Sequence, residues 1–198
     1  MVTLYYLRRF LAFFEGVLDG QNGEVAVSKE LATFFHGVKS TLEGHAALLD
    51  GSISDAKRKE VLDGLGEAAS TYRWAIYENG FSGEREMLQV QTVEAFVKVS
   101  KSFLEHSIRA NQREDKLFHA YNLMTYDESG VEVSYLPQML EGQVAALSSG
   151  YLSPKQSLEV FDALKASALF REDQYSYILY PNKELARFVD KNTIPTPR

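Results

Sequence analysis

Apolar residues recur along most of this chain at three- and four-residue steps, the spacing that puts them on one side of a helix. Leu4, Leu7, Leu11, Phe14 and Leu18 form the first stripe, and the glycines between Gly20 and Gly23 end it. Ser28 is placed to cap a second helix carrying Leu31, Phe34, Phe35, Val38 and Leu42, closed at Asp50-Gly51. A third begins near Ser54 or Asp55. It carries Leu62, Leu65, Ala69, Tyr72 and Ile76, and stops at Asn79-Gly80, two residues that tolerate the left-handed conformation beyond a helix. In the fourth, Val93, Phe96, Val97, Phe103, Leu104 and Ile108 face one way and Glu94, Lys98, Lys101 and Glu105 another. Glu94 and Lys98 stand four apart in the favourable order.

After Tyr121 the period shortens. Val131, Val133 and Tyr135 alternate with polar residues beyond the turn signal Asp127-Glu128-Ser129-Gly130, which predicts a β-hairpin over 121–135. Pro137 is expected to open a fifth helix through Met139, Leu140, Val144 and Leu147 to Gly150. Ser153-Pro154-Lys155-Gln156 combines an N-cap, a proline in the first turn and a glutamine at the third position, so a sixth helix starts there with Leu158, Phe161, Leu164 and Ala168 inward. Asn182 would cap a short last helix containing Leu185, Phe188 and Val189. The expected fold is all-α: an antiparallel helical array, in one domain over 1–198, with one small β-hairpin. Short links would run the fourth and sixth helices parallel.

Composition narrows the function classes. A net charge of −6 argues against a general affinity for nucleic acid or anionic membranes, which needs clustered Lys and Arg. The one basic cluster, Lys57-Arg58-Lys59, is followed at once by Glu60 and fits a solvated helix face. Cysteine is absent, which excludes disulfides, thiolate metal sites and a cysteine nucleophile, and suits a reducing, cytoplasmic location. Met1 to Leu18 is apolar, yet Arg8 and Arg9 interrupt it, so neither a signal peptide nor a membrane span is expected. The helix starts abruptly and the tail from Asn192 to Arg198 is loose, as in a piece of a longer chain with further domains.

One tripeptide is used twice. Arg113-Glu114-Asp115 and Arg171-Glu172-Asp173 each follow an expected helix and precede an aromatic run. Carboxylates at a helix C-terminus oppose its dipole by roughly 0.3–1 kcal/mol each, so something should offset them. One account is a ligand-facing acidic pocket in which the arginines orient the carboxylates. The other is that Asp115 and Asp173 cap the next turn and the arginines neutralise them, the commoner use of such residues. Phe118, His119, Tyr121, Tyr175, Tyr177 and Tyr180 offer flat faces suited to sugar rings, although core packing accounts for most aromatics in such runs. His119 is placed either to shuttle a proton or to form part of the wall. His36, His45, His106 and His119 lack metal-ligand spacing, so no metal is expected. Gly64-Leu65-Gly66-Glu67-Ala68-Ala69 imitates a dinucleotide fingerprint but has no strand before it, so no cofactor is expected either.

The segments Arg109–Asp115, Met139–Val144 and Leu169–Gln174 resemble helical portions of large bacterial carbohydrate-active proteins of the α/α-toroid kind. That resemblance implies a partial toroid, with acidic and aromatic loops at one end of a helix ring. It assigns no catalytic residue, since no defined catalytic motif is matched. The function expected is therefore carbohydrate binding or processing without autonomous catalysis, glycoside-processing in class if an enzyme. Arg113, Glu114, Asp115, His119, Arg171, Glu172, Asp173 and Tyr177 are the candidate ligand-binding residues, and an oligosaccharide is the candidate ligand. The alternative is a non-catalytic helical module for protein association. An exposed apolar helix face would favour it.

Overall fold

The structure is a computed structural model that describes residues 1–194. Seven α-helices are present among the described residues: α1 (Val2–Leu18), α2 (Lys29–Gly44), α3 (Asp55–Asn79), α4 (Val90–Ala110), α5 (Leu140–Ser148), α6 (Pro154–Ala166) and α7 (Phe188–Lys191). A short 3-10 turn, Ala46–Asp50, lies between α2 and α3. The all-α expectation, whether as an antiparallel array or as a partial toroid with a single hairpin, is overturned. Three small antiparallel two-stranded sheets accompany the helices: β1 (Glu24–Ser28) with β2 (Arg85–Gln89), β3 (Asn122–Tyr126) with β4 (Val131–Tyr135), and β5 (Phe170–Arg171) with β6 (Ser176–Tyr177). With 57% helix and 13% strand the fold is mixed α/β, dominated by helix. The hairpin at 121–135 is one of the three.

The first sheet joins two similar halves. Each half is a helix, a strand and a helix: α1-β1-α2 and α3-β2-α4. At the centre of the strand pair Ala26 faces Met87, 61 positions on. Phe35 and Phe96, also 61 apart, touch edge to face with ring centroids 5.0 Å apart. The Lys29 N–H donates to the Glu84 carbonyl and the Val90 N–H to the Gly23 carbonyl, both at 3.0 Å, and the same shift interchanges the two bonds. α1 packs on α4 and α2 on α3, so the first helix of each half lies on the second helix of the other. These relations describe an internal pseudo-two-fold axis through Ala26–Met87 and Phe35–Phe96.

Close approach of α2 to α3 depends on glycine. A Cβ on Gly64 would stand 2.7 Å from the Thr41 side chain, and one on Gly37 would stand 2.9 Å from the Ala68 Cβ. Gly64, the first glycine of the false dinucleotide fingerprint, is thus a helix-packing residue. The principal core lies elsewhere, where Tyr5 of α1, Ile108 of α4, Leu117, Phe118, Ala145 and Ala146 of α5, Val160 and Leu164 of α6, and Leu169 meet.

Three local expectations are corrected. α5 starts at Leu140 rather than Pro137, after the extended residue Met139. On α6 the inward face is Val160 and Leu164, while Leu158 and Phe161 are 64% and 52% exposed. The last helix has only four residues and follows Arg187, not Asn182. Residues 195–198 of the expected loose tail lie outside the described residues. No helix among the described residues is long and apolar enough to cross a membrane.

Candidate functional site

Both copies of the repeated tripeptide sit in tight reversals of the chain. In the first, Gln112 bridges to Phe118 and Lys116 takes the left-handed conformation at φ 69°. In the second, β5 and β6 pair and Tyr175 is left-handed at φ 48°. The Arg113 guanidinium donates to both oxygens of Asp115, at 2.9 to 3.1 Å, and Asp115 Oδ1 also accepts from the Leu117 N–H. Arg171 grips Asp173 in the same way at 2.7 and 2.8 Å. Burial works against ionisation of Asp115, but the Arg113 bond and the Leu117 N–H outweigh it and hold the carboxyl below its usual range. The Arg171 bond lowers Asp173 likewise.

Each tripeptide therefore closes on itself. No hydrogen bond or ion pair among the described residues joins one to the other. Glu114 and Glu172 are exposed. Leu117 and Leu169, which flank the two segments, do share the core. His119 stacks on Tyr135 with ring centroids 4.0 Å apart and planes 11° from parallel, and its buried Nδ1 has no hydrogen-bond partner among the described residues. Burial, and then the charge of Arg113, push its pKa down. Tyr177 packs against Phe170, centroids 5.3 Å apart. Phe118 is core, with 1% of its surface exposed.

The two aromatic runs converge further along. Tyr121, from the first, and Tyr180, from the second, line one cleft of about 600 Å³ with Pro137, Pro181, Gln138, Asn182 and Lys183. The Leu140 N–H donates to the Leu179 carbonyl at 3.0 Å and ties the second run to the start of α5. The Tyr121 hydroxyl donates to Glu141 Oε2 at 2.9 Å, and that bond raises its pKa. Gln143, fully buried on α5, fixes the base of the first run. Its Oε1 accepts from the Phe118 N–H at 2.7 Å, and its Nε2 donates to the carbonyls of Phe118 and Met139 at 2.7 and 2.9 Å.

A larger cleft, about 730 Å³, opens where the end of α4 meets the β3–β4 hairpin and the loop before α3. Asn111 and Asn122 form its amide floor: Asn111 Nδ2 donates to the Ser107 carbonyl, and Asn122 Nδ2 donates to Asn111 Oδ1 at 2.7 Å. His106 Nε2 lies 2.7 Å from the Gly51 carbonyl. Sequence reasoning missed this cleft because its residues come from separate segments with no shared local motif.

Among the described residues, no three His, Asp or Glu side chains gather where a metal ion would sit. Comparison of the sequence with protein-family models and with curated proteins finds no match to either.

Proposed function

We propose that this chain is a non-catalytic binding module that takes a carbohydrate in the cleft between Tyr121 and Tyr180. The observation supporting this is the convergence of the two aromatic runs on one cleft. Sugars present apolar C–H faces that lie against aromatic rings, and hydroxyls that pair with amides and ammonium groups. Tyr121 and Tyr180 are 38% and 54% exposed, and Gln138, Asn182 and Lys183 supply the polar contacts. Hydrolysis of a glycoside would need two carboxylates flanking one bond, roughly 5–9.5 Å apart. No carboxylate is among the lining residues, and Glu141 beside them is held by the Tyr121 hydroxyl. Calorimetry against an oligosaccharide panel tests the reading: at least one sugar binds, and Tyr180→Ala abolishes the heat. Binding of no sugar, or undiminished binding by the variant, refutes it.

A second reading, protein association, is favoured by one face of α1. Tyr6, Phe10, Phe13 and Val17 form an exposed stripe at steps of four, three and four, which is the spacing of a helix–helix seam. The pseudo-symmetric positions on α3 are Glu67, Thr71, Trp74 and Glu78; three of the four are polar, so the scaffold itself does not require a continuous apolar stripe there. Sedimentation of the wild type beside Phe10→Asp/Phe13→Asp tests this. Association removed by the double substitution supports it, and a monomer at all concentrations counts against it.

A further inference from the structure

The cleft at the end of α4 is at odds with the charge of the chain. The protein carries a net −6, yet among the described residues no aspartate or glutamate lines this, the larger of the two clefts described above. Arg58, His106 and Arg109 line it instead. Their states differ. Arg58 donates to Asp55 at 2.6 Å, to the Ile53 carbonyl at 3.0 Å and to the Val131 carbonyl, so it is fixed in the wall and its charge is shared. Arg109 has no ion pair among the described residues. Its one hydrogen bond there goes to the Tyr151 hydroxyl at 3.3 Å, which leaves most of a planar five-donor fork unused. His106, one turn earlier on α4, also has no carboxylate partner among the described residues. Ile53, Met124 and Val133 give the same cleft an apolar part.

We propose that this cleft binds a small amphipathic carboxylate. Its anionic end lies on the free edge of the Arg109 guanidinium, which matches a carboxylate in two parallel N–H···O bonds. Its body lies against Ile53, Met124 and Val133, and the Asn111–Asn122 amides bound the floor. A volume of about 730 Å³ suits a small organic ligand better than a bare ion. The charge identifies the head group and the apolar wall identifies the rest. This site is separate from the Tyr121–Tyr180 cleft and does not depend on the reading given for it.

The test is a titration of the full chain followed by NMR and calorimetry, with phenylacetate as the probe. 2-Phenylethanol serves as its neutral counterpart, inorganic phosphate as charge without a body, and glucose as a sugar. The expected result is saturable phenylacetate binding that shifts the His106 and Tyr135 ring signals. Arg109→Gln, at an exposed position, should weaken binding about 10- to 100-fold, the loss expected for a charged hydrogen bond. Met124→Asp, which puts a carboxylate at the exposed edge of the apolar wall, should weaken it as well. No saturable binding of phenylacetate would overturn the proposal. So would equal binding of 2-phenylethanol or phosphate, or binding unchanged in both variants. Glucose that binds without moving the His106 signal belongs to the other cleft and leaves this result intact.

Discussion

Replacing Gln143 with leucine should be among the most damaging single changes available to this protein. The side chain is fully buried and makes three hydrogen bonds, two of them to the main chain of Phe118. Leucine fills a similar volume but leaves the Phe118 N–H and C=O in the core with no alternative partner among the described contacts. A buried, unpaired polar group costs roughly 1–3 kcal/mol. Two such groups, partly offset by the added apolar burial, amount to about 3 kcal/mol, a large share of the ~5–15 kcal/mol by which domains are stable. Urea unfolding followed by far-UV circular dichroism measures it, and a loss below about 1 kcal/mol would refute the reasoning. Gln143→Glu provides a sharper check. One carboxyl oxygen accepts from the Phe118 N–H, but the other must be protonated to donate to the facing carbonyls. The folded-state pKa is then raised above the unfolded value of about 4.3. Stability relative to wild type should be best below that pH and fall as pH rises from there toward 7. A cost independent of pH would show that the amide nitrogen does not donate as described.

Three further outcomes follow from the packing. Gly142→Ala would place a Cβ 2.8 Å from the Ala120 Cβ and 2.9 Å from its Cα, so a thermal melt should show a loss of about 1–3 kcal/mol and any ligand of the adjoining Tyr121 cleft should bind more weakly. Phe35→Ala and Phe96→Ala should be non-additive, with a double-mutant cycle giving a coupling of about 0.5–1.5 kcal/mol for the edge-to-face pair. His119 titrates below its ordinary value of 6.5 in the fold, so the native state favours the neutral ring. Its contribution is complete above that pH and is lost as pH falls through the lowered value. His119→Phe, which keeps a ring against Tyr135, should remove that part of the acid sensitivity in paired denaturation curves at pH 7.5 and ~5.

Features encoded within a few residues of one another were legible in the chain. Ser28, Ser54 and Ser153 each accept a backbone N–H at the start of a helix, and Ser153 with Gln156 completes the reciprocal cap. The turn at Asp127 was equally local, since its carboxylate accepts from Ser129 and Gly130. β1 and β2 were not legible. Each has only five, mostly exposed residues and pairs with a strand some 60 residues away; Val25 and Val27 do alternate in β1, but the run is too short to mark a strand, and β2 has no alternation. β5 and β6, two residues each, are too short to have a period. Leu158 and Phe161 shared a helical stripe with Leu164 in the sequence, but the core accepts the neighbouring face through Val160, a choice made by tertiary packing. Tyr121 and Tyr180 were recognisable as aromatics suited to a sugar. Gln138, Asn182 and Lys183 were not recognisable as their companions, because they lie in segments without periodicity.

The pseudo-two-fold arrangement makes the first 110 residues a tethered dimer. The halves find one another because the link through the 3-10 turn holds them at high effective concentration. Every contact across the axis could equally be made between halves of two different molecules, with only the link taking a new path. Two copies exchanging halves would keep the β1–β2 register, the Phe35–Phe96 pair and both exchanged backbone bonds. Linker length and protein concentration, rather than the strength of any contact, then decide between the closed monomer and the swapped pair.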